Sequence, residues 1–170
     1  IAVFKLDPTG SNLIYATYIG GNNDESCYGA NLTVNASGEV TACAQTLSSN
    51  LPVTAGCYDP TFSAGNTDLF VFKLNAAGST LMYCTYIGGT GFDGNGFMTT
   101  DASGAIYVTA RSFSSNFPVT AGCYQPAKGA FMDAVFFKLN PAGSGAADLV
   151  YSTFLGGNNT DTPWGIAINS

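Results

Sequence analysis

One stretch of this chain occurs three times, and that narrows its fold more than any single residue does. Leu69 to Gly89 reads LFVFKLNAAGSTLMYCTYIGG and Ile1 to Gly21 reads IAVFKLDPTGSNLIYATYIGG. Ala134 to Gly157 reads AVFFKLNPAGSGAADLVYSTFLGG, with three extra residues in its turn. Self-similarity at a nearly fixed spacing marks an array of one supersecondary unit. Lys5, Lys73 and Lys138 measure that spacing, as 68 and then 65 residues.

Each period holds short β-branched and aromatic runs joined by turn residues. Ile1 to Leu6 and Leu13 to Ile19 flank Asp7-Pro8-Thr9-Gly10, where Pro presets the bend and Gly is free to take positive φ. Asn31 to Val34 and Val40 to Ala44 flank Asn35-Ala36-Ser37-Gly38, and Phe97 to Thr100 and Ile106 to Ala110 flank Asp101-Ala102-Ser103-Gly104. Leu69 to Leu74 and Leu81 to Ile87 flank Asn75-Ala76-Ala77-Gly78. A long connection carrying SSNLPVTAGCY, and later SSNFPVTAGCY, links the hairpins, and Trp164 to Ile168 reads as one further strand. The pattern therefore predicts four antiparallel strands per period and no helix.

Four short strands per repeat with a crossover between repeats describe a β-propeller blade. Immunoglobulin-like sandwiches need about 100 residues and roughly seven strands per unit, and β-helix repeats are shorter, parallel and without hairpins. Composition agrees: 46% of residues are hydrophobic and only 9% charged, against roughly 25% charged in an ordinary soluble domain. Along Leu81 to Ile87 apolar side chains fall in both alternating sets, so both faces of the sheet need cover. Phe72 and Tyr86 test this, since each must be buried if the sheets stack face to face.

The VFKLxPxG turn, the xYxTYxGG strand end, the DASGxxYVT hairpin and the SSNFPVT crossover resemble the SBBP β-propeller repeat of large secreted and surface proteins of bacteria. The resemblance covers essentially the whole chain. It implies a seven-bladed propeller, an extracellular or cell-surface location, and no catalytic residue to carry over. Cys57 and Cys123 in the TAGCY segments depart from the small residue expected there.

The expected organisation is a partial propeller: 1–21 as the outer hairpin of one blade, 22–89 and 90–157 as complete blades, and 158–170 as the first strand of the next. That makes eleven strands, which is not a multiple of four, so closure calls for the remaining blades of the propeller or neighbouring domains of a longer parent. The start of the chain, without Met or signal peptide and inside a strand pattern, reads as part of something longer.

Few residues suggest chemistry. With a net charge of -6, five basic residues and no His, a nucleic-acid partner is disfavoured and a Ser-His-Asp triad is impossible within the chain. No apolar run reaches the roughly 20 residues of a membrane helix. Lys5, Lys73 and Lys138 could form a cationic ring for an acidic glycan, but a structural ion pair with the acid five residues earlier, Asp68 or Asp133, is the simpler reading. Asp24, Glu25, Asp93 and Asp161 follow the Gly-Gly pairs without a dense calcium-loop spacing, and solvated loops are expected. Asp7, Asn75, Asn140, Asn35 and Asp101 read as turn caps. Tyr58 and Tyr124 are candidate glycan platforms, with packing against a neighbouring blade preferred. The sequons at Asn31, Asn35 and Asn158 read as coincidence. Cys27, Cys43, Cys57, Cys84 and Cys123 show no zinc spacing and are expected as small buried hydrophobes, with disulfide pairing open.

No cofactor, metal or catalytic site is expected. The functional expectation is a non-catalytic module serving as scaffold or adhesion surface, with another surface protein or a glycan as its partner and no membrane insertion. A carbohydrate-active hydrolase or lyase, or a lectin-like propeller, are the alternatives.

Overall fold

A computed structural model describes residues 1–28 and 31–169. The protein is all-β, with antiparallel strands in three sheets. β1 (Ala2–Leu6) and β2 (Leu13–Tyr18) form a hairpin. β3 (Glu25–Ser26) and β4 (Leu32–Val34) both pair with β5 (Val40–Thr46), followed by β6 (Asp68–Leu74) and β7 (Leu81–Ile87). The third sheet runs β8 (Asp93–Thr100), β9 (Ile106–Ser112), β10 (Asp133–Leu139) and β11 (Leu149–Leu155) in chain order. All three repeated hairpins slip register at the same Lys-Leu pair, between Lys5 and Leu6, Lys73 and Leu74, and Lys138 and Leu139.

The sheets stack. Phe70, Phe72, Leu74, Val40, Ala42 and Tyr86 point from one face of the second sheet toward Val3 and Ile19 of the hairpin. The alternate side chains Leu69, Val71, Ile87 and Cys43 point the other way, onto Ile106, Val108, Phe137 and Phe154 of the third sheet. This is period-2 alternation with both sets apolar. Phe72 and Tyr86 are each 1% exposed, as face-to-face stacking requires.

The outer faces are open. On the hairpin, Phe4 is 62% and Tyr18 84% exposed, although their repeat equivalents are Phe72 and Tyr86. On the third sheet Leu155 is 42% exposed, whereas its equivalent Ile87 is fully buried. The crossovers run along the outermost strands: Thr54 N–H donates to Cys84 O and Tyr86 N–H to Asp59 O, and Thr120 and Phe154 repeat this with Ser152 and Gln125. An edge that would otherwise offer free ladder groups is thereby occupied.

Three expectations need correction. Trp164 to Ile168 is not a strand; a strand needs a ladder partner, and no strand pairs with this segment among the described residues. The first strand of the third sheet begins at Asp93 rather than Phe97, carried past a bulge in which Asn95 has φ 52°. The second sheet has five strands rather than four, because both Glu25–Ser26 and Leu32–Val34 pair with β5.

Candidate functional site

The Gly-Gly turns are held by acids at a constant offset. Gly21 N–H donates to Glu25 Oε2 at 3.3 Å, Gly89 N–H to Asp93 Oδ2 at 2.7 Å and Gly157 N–H to Asp161 Oδ2 at 2.8 Å. The offset from the second glycine is four residues every time, and Glu25 and Asp93 are bound within their turns rather than in the solvated loops expected. The crossover completes the clasp. The Ser114 hydroxyl donates to Asp93 and accepts from Gly91 N–H, while Asn116 Oδ1 accepts from Thr90 N–H. Ser48 and Asn50 do the same for Glu25, Asn23 N–H and Asn22 N–H. The recurring SSN motif therefore ties each crossover to the preceding turn.

Asp68 and Asp133 do not pair with Lys73 and Lys138. Five residues along a strand is an odd number, so acid and lysine lie on opposite faces, about 16 Å apart. Both aspartates are fully buried. Asp68 Oδ2 accepts from Ser63 N–H, and Asp133 Oδ2 from Gly129 N–H. The remaining Oδ1 of Asp68 packs on Gly88, where a Cβ would collide with it, which is why the turn carries glycine there. Burial pushes the Asp68 carboxyl up to about 7 and raises that of Asp93 as well.

Lys73 has a different partner. The hairpin register sets Thr33 opposite Thr41 and Thr41 opposite Lys73, so the three form one row on the face turned toward the third sheet. At the end of that row Lys73 Nζ meets Glu39 Oε2 at 2.7 Å, with the two side chains 21% and 23% exposed. Asn35 Nδ2 also donates to Glu39 Oε2, and the lysine bond is the main cause of a Glu39 carboxyl below its usual range. Across the gap, Thr100 Oγ1 donates to Thr33 Oγ1 at 3.2 Å, joining β4 and β8 of the two sheets.

These groups line a groove of about 470 Å³ between the turns Asn35–Glu39 and Asp101–Gly104. Asp101 forms its far wall as a turn cap: Oδ1 accepts from the amides of Ser103 and Ala105 and from the Ser103 hydroxyl, and Oδ2 from Tyr107. The Ser103 hydroxyl, chiefly, holds Asp101 down to about 2. Gly104 follows with φ 87°, a conformation that favours glycine. The groove residues Glu39, Thr33, Thr41 and Thr100 were not singled out from the sequence; pairing the NASG hairpin in register and extending the row to Lys73 would have found Thr33 and Thr41.

The other candidates fall elsewhere. Lys5 is exposed, and Lys138 Nζ sits 4.9 Å over the Tyr107 ring, so the three lysines have three different surroundings. Tyr58 packs on the core between the second and third sheets, whereas Tyr124 is exposed. Asn31 is buried and the Asn35 side chain is bound within its turn, while Asn158 is exposed. All five cysteines are free thiols: Cys43, Cys57 and Cys84 are buried, Cys123 is partly covered and Cys27 is exposed. The expectation of buried thiols thus fails at Cys27. Asp7, Asn75 and Asn35 cap their own turns through backbone amides.

No family model matches this sequence, and no curated protein is significantly similar to it.

Proposed function

We propose that this chain is part of a β-propeller, a non-catalytic repeat module of a secreted or cell-surface bacterial protein that acts as a rigid scaffold and interaction surface. One observation carries the reading. The interface between the second and third sheets buries Leu69, Val71 and Ile87 completely. Of their repeat equivalents on the outer face of the third sheet, Leu155 is 42% exposed and Phe136 partly exposed, with only the small Ala134 buried, and the hairpin exposes Phe4 and Tyr18 at the opposite end of the stack. Each end therefore offers one half of an interface that the molecule already contains. Stacking that repeats head to tail either closes into a ring or runs on as an open array, and sheets with short protected edges are the propeller solution.

The clasp supports the same reading. Asp161 holds the Gly157 amide as Asp93 holds Gly89, but the Ser-Ser-Asn partner of this third turn would come from a further repeat. Non-catalytic use is supported by the loops: their carboxylates cap backbone amides at positions shared between repeats, as Glu25, Asp93 and Asp161 do.

The test is to extend the chain by copies of its 22–157 segment and examine the product by electron microscopy and small-angle scattering. Closed discs with a central channel are expected. Filaments that lengthen with each added copy would overturn the propeller reading.

A further inference from the structure

We infer that the groove between the Asn35–Glu39 and Asp101–Gly104 turns is a binding site for a neutral saccharide of one or two rings. The inference gives the proposed interaction surface a ligand class but does not depend on ring closure, because both walls of the groove belong to this chain. Its volume of about 470 Å³ lies within the roughly 300–1,000 Å³ of small-molecule sites.

The chemistry of the walls selects the class. Lys73 spends one N–H on Glu39 and keeps others free, since an ammonium has three. Both described contacts to the Glu39 carboxylate fall on Oε2, which leaves Oε1 for a new donor. The Thr100–Thr33 pair uses only one of its two hydroxyl protons, so it keeps one O–H to donate and oxygen lone pairs to accept. The groove thus presents donors and acceptors side by side on fixed strands. A sugar hydroxyl both donates and accepts, and a vicinal pair can bridge Lys73 and Glu39 without breaking the ion pair.

Charged ligands fit less well. An anion would meet Glu39 and Asp101 beside a lysine that is already neutralised, and a cation would meet carboxylates whose oxygens are largely taken by amides and hydroxyls. The walls carry no aromatic ring, since Tyr107 lies behind Asp101 and donates to it, so the affinity expected is modest.

The test is NMR titration of the 170-residue chain with cellobiose, maltose, lactose and glucuronate, following backbone amides. A neutral disaccharide is expected to bind saturably with Kd on the order of 1 mM, shifting Thr33, Thr41, Lys73 and Ser103. Lys73→Met should weaken it about tenfold, the loss expected when a charge-assisted hydrogen bond is removed. Thr33→Val, which keeps the shape of the strand, should weaken it less, and Lys138→Met not at all. No saturable shift with any neutral sugar, tighter binding of glucuronate, or equal weakening by Lys138→Met would overturn the assignment. If Lys73→Met fails to fold, Thr33→Val decides alone: unchanged sugar binding would overturn it. Failure of the extended chain to close into a ring would leave this titration unaffected.

Discussion

The same row of side chains crosses two sheets and meets different neighbours in each. In the second sheet it reads Thr33, Thr41, Lys73 and Tyr83, and it faces the third sheet. In the third sheet it reads Thr99, Tyr107, Lys138 and Tyr151, and it faces outward. Lys73 pairs with Glu39, whereas Lys138 lies over Tyr107, whose hydroxyl donates to Asp101. The repeat places a lysine at a given register but leaves its partner to the variable residues around it. A ring of equivalent lysines therefore does not follow from equivalent positions.

Covered and open faces should answer very differently to the same truncation. Ile87→Ala removes a fully buried side chain from the joint between two sheets, and it is expected to cost about 2–5 kcal/mol. Leu155→Ala, at the equivalent place on the open face and 42% exposed, is expected to cost less than about 1 kcal/mol. Urea denaturation of both variants measures the difference. Equal losses would mean that the third sheet's outer face is covered in solution.

How much of this could be read in advance follows from which interactions are local. Hairpins, turn glycines and two-sided burial were legible because they follow from alternation and from short motifs such as NASG and DASG. The Asp68 to Lys73 pairing was wrong although parity alone forbids it. The Glu39 partner was not legible, because it requires the register of two hairpins at once. The clasp was half hidden: its offset from Gly89 to Asp93 is plain, but in the second repeat Asp24 stands beside Glu25 and disguises it. The C-terminal run Trp164 to Ile168 shows the limit of pattern, since β propensity makes no strand without a partner.

The joint between the second and third sheets should also respond to pH. Asp93 N–H donates there to the carbonyl of Thr67, the residue before Asp68, at 2.9 Å. The Asp68 carboxyl is raised to about 7 by burial and that of Asp93 is raised too. A raised carboxyl keeps its proton longer in the folded state, so stability is greatest below the ordinary carboxylate range and falls as pH climbs through it toward 7. Asp101, held at about 2 by hydrogen bonds, acts in the opposite sense only in stronger acid. The melting temperature at pH 5 should exceed that at pH 8. Asp68→Asn, which keeps an acceptor for Ser63 N–H, should flatten the slope. An unchanged slope would show that Asp68 does not titrate in this window.

The three-residue insertion of the last hairpin should contribute a smaller increment. It falls within the 3-10 turn Gly145–Asp148, and buried Asp148 accepts from Tyr83 OH at 3.0 Å across the joint. Gly145 N–H also donates to Gly56 O in the crossover. Tyr83→Phe leaves Asp148 with the amides of Gly143 and Ser144, so the loss expected is about 1–2 kcal/mol. A neutral result would make the insertion a spacer rather than a tie between sheets.

The smallest effect, and the most specific, concerns the two lysines. Lys73→Met should lower the melting temperature slightly, because a partly exposed ion pair contributes little to stability. Its sharper signature is the Glu39 carboxyl. With the main cause of its lowering removed, Glu39 should titrate closer to the ordinary glutamate range, while Asp101, held chiefly by Ser103, stays near 2. Lys138→Met should leave Glu39 untouched, since that lysine faces Tyr107 on the far side of the third sheet. Side-chain carbon NMR through an acid titration reads both carboxyls in one experiment. A Glu39 that moves equally in the two variants would mean that the lysines share one field, and the ring of cations set aside by the geometry would return.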